Sequence, residues 1–232
     1  RRENTGIAEH NQDLRMDEFI PDVFSSKEKE ARREMCELVH RAYDQRLFTS
    51  TQGTFSARIN ESSFIITPEN ADRKYIEPEE LVRIENGRKE SGKSPDRSVL
   101  FHQHIYKIYP HVNSVIIAQP PNVMAFAVSD QDMDSRLIPE SYIMLRDVPR
   151  LPFGCGFTHP ETTAAKFLSS SPVAIIENDC IVVTGNNLIN AFDRLEVAEY
   201  SAISIISSRV IGDIVTIDEK QIRDIKEAFN LS

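Results

Sequence analysis

Two β-hairpins set among helices restrict the fold of this chain more than any other feature. Thr54–Ile59 and Ser63–Thr67 are short β-prone runs separated by Asn60-Glu61-Ser62, and Pro68 stops the second run. Val173–Ile176 and Ile181–Thr184 flank Glu177-Asn178-Asp179-Cys180, a polar tip of turn-forming residues. A hairpin makes its two strands antiparallel neighbours. The helices between the hairpins do not alternate with strands one for one, which argues against a doubly wound parallel sheet. The expectation is α/β in the layered sense, with a mixed or antiparallel sheet covered by helices.

Helical periodicity supplies the cover. Ser25 offers an N-cap with Glu28 three residues later, and Ala31, Met35, Leu38, Val39 and Ala42 follow at helical spacing, which predicts a helix over about 26–47. Pro78 opens a short helix, and Ser98–Tyr109 reads as a longer one. Val112–Ala118 is a strand that ends at Gln119-Pro120-Pro121, with a brief helix expected over Asn122–Val128. Further helices are expected over Thr158–Ser169, about 188–208, and Asp218–Phe229.

Lys and Arg total 27 against 36 Asp and Glu, a net charge of −9 that repels a polyanionic backbone, so nucleic acid is not an expected partner. No apolar run reaches membrane-spanning length and the N-terminus lacks the apolar core of a signal peptide, so the expected location is cytoplasmic, with no membrane partner. Cys36, Cys155 and Cys180 are odd in number and far apart, which suggests reduced, mostly buried thiols rather than a disulfide frame or a metal knuckle. The polar segment 1–24 reads as an arm or linker before a single domain over 25–232. Because the chain opens at Arg1, an upstream domain in a longer protein stays open as an alternative.

Candidate chemistry is sparse. His102-Gln103-His104 has the spelling of a metal pair, but on a helix these positions point roughly 200° apart and cannot converge on one ion. One inward and one exposed histidine are expected instead. His111 and His159 each adjoin a proline and read as surface or capping residues. No Gly-rich phosphate loop, nucleophile triad or CxxC pair stands out.

The order of the pieces resembles the class II aldolase/adducin family. The likeness runs through Gln52-Gly53-Thr54-Phe55-Ser56-Ala57-Arg58, Phe64-Ile65-Ile66-Thr67-Pro68, Glu79-Glu80-Leu81-Val82 and Ser94-Pro95. It continues through Phe101-His102 with Ile105-Tyr106, the strand to Gln119 with Pro120-Pro121, and Asn178 with Val182-Val183-Thr184-Gly185. The resemblance implies a three-layer αβα fold with a mixed, mostly antiparallel sheet, a homo-oligomer (a tetramer in the family) and zinc-dependent aldehyde-lyase chemistry on sugar phosphates. It also implies where the machinery belongs, and there this chain departs. The three zinc-histidine positions read Ile117, Gln119 and Asp179, and the acid/base glutamate position reads Ser98. The phosphate positions read Gly53-Thr54, Glu69-Asn70 and Asp96-Arg97, with Thr67 beside them. Isoleucine has no lone pair to give, a neutral amide is a poor zinc ligand, and a hydroxyl does not titrate near neutrality. The expectation is therefore no zinc or other cofactor and no confident catalytic residue. The chain is expected to be a non-catalytic assembly or ligand-binding module with a vestigial pocket, in one version half of a tandem protein. The alternative is an active aldolase or epimerase that uses another residue set, or an oxygen-loving metal such as Mg²⁺ on Asp179 and Gln119.

Overall fold

The structure, a computed structural model, describes residues 15–166 and 171–231. Nine strands form one sheet in the order β1-β5-β4-β3-β2-β6-β9-β8-β7. They are β1 (Glu18–Phe19), β2 (Thr54–Arg58), β3 (Ser63–Ile66), β4 (Val82–Glu85), β5 (Arg88–Glu90), β6 (Ser114–Ala118), β7 (Arg150–Leu151), β8 (Val173–Ile176) and β9 (Cys180–Gly185). Every pairing inside the sheet is antiparallel, and the two edge pairings, β1 with β5 and β7 with β8, are parallel. The expected mixed, mostly antiparallel sheet is thus present.

Side-chain alternation divides the strands between two apolar cores. Phe55, Ala57, Ile65, Ile116, Val173, Ile175, Ile181 and Val183 face one way. They meet helices α1 (Ser26–Asp44), α3 (Pro121–Ala127), α4 (Pro139–Leu145) and α7 (Leu188–Ile211). Phe64, Ile66, Val82, Ile84, Val115, Ile117, Ala174 and Val182 face the other way, toward α2 (Val99–Ile108), α5 (Cys155–Thr158) and α6 (Pro160–Ala164). The result is the three-layer αβα arrangement that the resemblance implies. The last helix, α8 (Glu219–Ala228), starts in a capping box formed by Asp218 and Gln221.

Both predicted hairpins form, and Ser25 caps α1 by accepting the Glu28 N–H at 3.2 Å. Elsewhere the structure corrects the sequence reading. Pro78–Glu80 is a single 3₁₀ turn, because the chain enters β4 directly afterward. The helix expected over 158–169 breaks at His159-Pro160 into α5 and α6, since proline disfavours a helical residue before it, and residues 167–170 lie outside the described residues. The hairpin β4–β5, the helix α4 and the edge strands β1 and β7 are additions, and β1 falls inside the segment expected as an arm. His102 is fully buried, as expected of the inward histidine, but His104 is half-buried rather than exposed. His111 and His159 are exposed, Cys36 and Cys180 are buried, Cys155 is half-buried, and all three thiols are free.

Candidate functional site

A cavity of about 790 Å³ opens at one end of the sheet. Its wall is built by the turn before β2, the end of β6, the loop leading into α2, and the tip of the β8–β9 hairpin. Ile117 and Gln119 both face it, as the two-residue period of a strand requires. Thr54 pairs with Ile117 across the β2–β6 ladder, and Gly53, Asp96, Arg97, Ser98 and Asp179 complete a contiguous lining. Residues far apart in sequence therefore meet where the resemblance places a site.

Backbone ties hold the lining together. The Gln119 N–H donates to Leu47 O at 3.0 Å, and the Asn178 N–H donates to Ala127 O at 2.9 Å. Pro68 and Pro95 bridge two loops, flanked by the Asp96 N–H to Thr67 O at 3.0 Å and the Glu69 N–H to Ser94 O at 3.0 Å. Arg73, fully buried, donates through Nε to Gly53 O at 2.9 Å. Gly53 itself has φ +81°, and a Cβ there would lie 2.4 Å from the Phe48 ring, so this turn requires glycine. Glu199 of α7 fixes the entry of α3, accepting from the Asn122 N–H at 3.1 Å, Asn122 Nδ2 at 2.6 Å and the Val123 N–H at 3.0 Å.

The groups at the positions that the resemblance singles out have specific partners. Ser98 is buried, and its Oγ and its N–H both donate to Asp96 Oδ1, at 2.7 and 2.9 Å. Asp96 Oδ2 meets Arg73 Nη2 at 3.8 Å, and the side chain keeps 17% exposure on the cavity wall. The Arg97 guanidinium lies 4.8 Å over the Phe157 ring. Asp179 has its carboxyl raised above the ordinary range by burial, an effect that the nearby Arg97 partly offsets. Its backbone N–H closes the hairpin turn onto Ile176 O at 3.2 Å, while its carboxylate accepts no hydrogen bond among the described residues. Gln119 Oε1 is buried without a partner. Burial also pushes the Cys180 thiol well above its usual range and raises Cys155.

Three of the sequence-selected positions fall outside this lining. Thr67 is fully buried and accepts the Phe55 N–H, while Glu69 and Asn70 point to solvent. Conversely, Phe48 and Phe157 line the cavity with no periodic signal to announce them, while Tyr43 and Phe101, legible as apolar positions of their helices, also reach it.

Zinc does not fit here. Ile117 is only 9% exposed and packs into the α2-side core, so its position forms an apolar wall rather than a ligand. Gln119 and Asp179 leave one carboxylate and one neutral amide, and no group of three or more His, Cys, Asp or Glu side chains arranged to hold a metal occurs among the described residues.

A buried network lies behind the wall. Ser56 Oγ is 2.7 Å from His102 Nδ1 and 2.6 Å from Tyr106 Oη. Burial drops the His102 pKa to about 4, opposed by the charge of Asp96, and Nε2 has no partner. Neutral His102 and the two hydroxyls brace β2 against α2.

The chain is similar to curated enzymes over most of its length. It is 26% identical over 194 residues to the 3-oxo-tetronate 4-phosphate decarboxylase of Pectobacterium atrosepticum, covering 81% of this chain and 88% of that protein. It is 24% identical over 167 residues to the L-fuculose phosphate aldolase of Methanococcus vannielii, covering 72% and 91%. An L-fuculose 1-phosphate aldolase structure superposes with a TM-score of 0.79 at 21% identity, over 90% of this chain and 98% of that one. The sugar-phosphate aldolase of Thermotoga maritima superposes with a TM-score of 0.69 at 16% identity, over 82% and 99%. The sequence profile of the class II aldolase and adducin N-terminal domain matches residues 33–205, well over half the chain, and the chain belongs to that family.

Proposed function

We propose that this chain keeps the family's cleft as a binding site and has lost its zinc-dependent lyase chemistry. The observation that carries the reading is the convergence of Ile117, Gln119, Asp179 and Ser98 on one cavity. The place for three metal ligands offers one carboxylate, and the place for an acid/base offers a hydroxyl already donated to Asp96. Named relatives are an aldolase and a decarboxylase of phosphorylated substrates, so a pseudoenzyme here is a departure within an enzyme family. The proposed setting is cytoplasmic, as a homo-oligomer of tetramer type, with a domain that begins at β1 rather than at residue 25, since Glu18–Phe19 pairs with β5. A catalytic domain elsewhere in a longer chain would account for keeping such a module.

The test is metal analysis of purified protein together with a retro-aldol assay on L-fuculose 1-phosphate. The expected result is substoichiometric zinc and no cleavage. One zinc per chain with turnover sinks the reading.

One observation favours a second reading, an active lyase on a hard cation. Asp179 and Gln119 share the wall and both have oxygen atoms without a hydrogen-bond partner, a donor set better suited to Mg²⁺ than to zinc. Thermal stabilisation by Mg²⁺ or Mn²⁺ that disappears in Asp179→Ala would favour this reading over the first.

A further inference from the structure

We infer that the chain carries a second binding site, for the oxyanion of a small metabolite, at the end of the sheet opposite the cleft described above. The site stands whatever the cleft itself binds.

A separate cavity of about 320 Å³ opens there. The β6–β9 ladder sets its position, with Ala118 and Ile181 paired at the cleft end and Ser114 and Gly185 paired at the other. Asn113 closes that far end, its N–H donating to Gly185 O at 2.9 Å and its Nδ2 to Asn186 O at 3.0 Å. Thr184 donates through its N–H and Oγ1 to Pro172 O, at 2.8 and 2.9 Å. A Cβ at Gly185 would lie 2.5 Å from the Ala191 N, so α7 packs directly onto the strand end. The wall is therefore fixed mainly through its backbone.

Arg194 of α7 is the one Arg, Lys, Asp or Glu among the described residues of the lining. Its Nε donates to Met144 O at 3.1 Å and its Nη1 to Thr184 O at 2.6 Å, which orients the guanidinium. Nη2 has no partner, and no carboxylate lies within ion-pair distance, among the described residues. Burial and the neighbouring Arg146 lower its pKa to about 10, opposed by Asp193, so a cation stands here at neutral pH.

Neutral polar groups surround it. Asn186, Asn190, Ser171, Tyr109 and His111 share the lining. The Asn186 amide, Ser171 Oγ and Tyr109 Oη have no hydrogen-bond partner among the described residues. Asn190 Oδ1 accepts the Asn186 N–H at 3.2 Å, and its Nδ2 stays unspent. A guanidinium with amide and hydroxyl donors is the set that recognises phosphate or carboxylate, and no lining carboxylate repels one. The volume sits at the small end of the range for small-molecule sites, roughly 300 to 1,000 Å³.

Calorimetric titration of the chain with inorganic phosphate, methyl phosphate and acetate, at constant ionic strength set by chloride, tests this. At least one should bind saturably, and the tightest gives the class of oxyanion. Asn186→Asp, which puts a carboxylate on the wall that Arg194 occupies, should weaken that binding at least about tenfold. Arg194→Gln should do the same, but it also loses the hold on Met144 and Thr184. Asn186→Asp alters a side chain that holds nothing, so it decides the matter if Arg194→Gln does not fold. Repeating the titrations in Arg97→Gln separates any anion held in the cleft: the second site survives that change. Saturable binding by none of the three probes overturns the inference. So does binding that is unchanged in folded Asn186→Asp, or binding that Arg97→Gln abolishes.

Discussion

Ser98 Oγ donates to Asp96 Oδ1 at 2.7 Å, and this contact occupies the place where the family resemblance expects a carboxylate free to exchange protons. The hydroxyl is buried and already used, while the carboxylate beside it is held by two hydrogen bonds from Ser98 alone. A proton-transfer group needs a titration near working pH and freedom to reach its substrate, and Ser98 has neither.

Replacing Ile117, Gln119 and Asp179 together by histidine should therefore create zinc affinity without creating cleavage. The three positions line one cavity, so imidazoles there can converge. Metal analysis should find about one zinc per chain, and saturating zinc at a hundredfold excess over Kd should stabilise the variant by about 2.7 kcal/mol. Retro-aldol activity should stay absent while Ser98 is retained.

Asp179→Asn should raise the melting temperature at neutral pH. Burial raises the folded-state pKa of Asp179 above 3.8, so its stabilising contribution is complete below that value and is lost as pH rises through the folded pKa. The amide removes the charge that burial opposes. A pH series of thermal unfolding should show the gap between variant and wild type closing in acid; a gap independent of pH would contradict the assignment.

His102 should contribute an acid limb to stability. Its pKa falls from 6.5 to about 4 through burial, opposed by Asp96, so the unfolded chain takes up the proton first. Its stabilisation is complete above 6.5 and declines as pH falls toward 4, a total of about 3 kcal/mol. His102→Leu should flatten that window in denaturant titrations, whatever it costs at neutral pH by breaking the contact with Ser56.

Glu199→Ala should destabilise by about 2 kcal/mol or more, because two α3 amides and the Asn122 side chain lose a nearly buried acceptor. Glu199→Gln, which keeps one acceptor oxygen, should cost less. Chemical denaturation of the three proteins gives the order directly.

Hairpins with a polar tip were legible in the sequence, because turn chemistry and β-branched runs are local properties. The β4–β5 hairpin carries such a signal as well, since Asn86-Gly87 sits between Val82–Glu85 and Arg88–Glu90 with φ of 50° and 74°. That Asn-Gly turn is a local hairpin signal of the same kind as the other two. The edge strands β1 and β7 are two residues each, too short for any period to register. At the cavity, family order located Ile117, Gln119, Asp179, Asp96 and Ser98, whereas Phe48 and Phe157 depend on how loops fold over the sheet end. Glu69 and Asn70 misled because sequence adjacency to Thr67 does not determine which way a loop turns after Pro68.

The short parallel strands β1 and β7 close the two sides of the sheet. Each leaves only a brief ladder of open backbone groups, too small to template a strand from another molecule. Among the described residues, helix and loop surfaces, where side-chain identity sets the partner, are thus the faces open to a neighbouring molecule, rather than backbone pairing, which recruits almost any extended peptide.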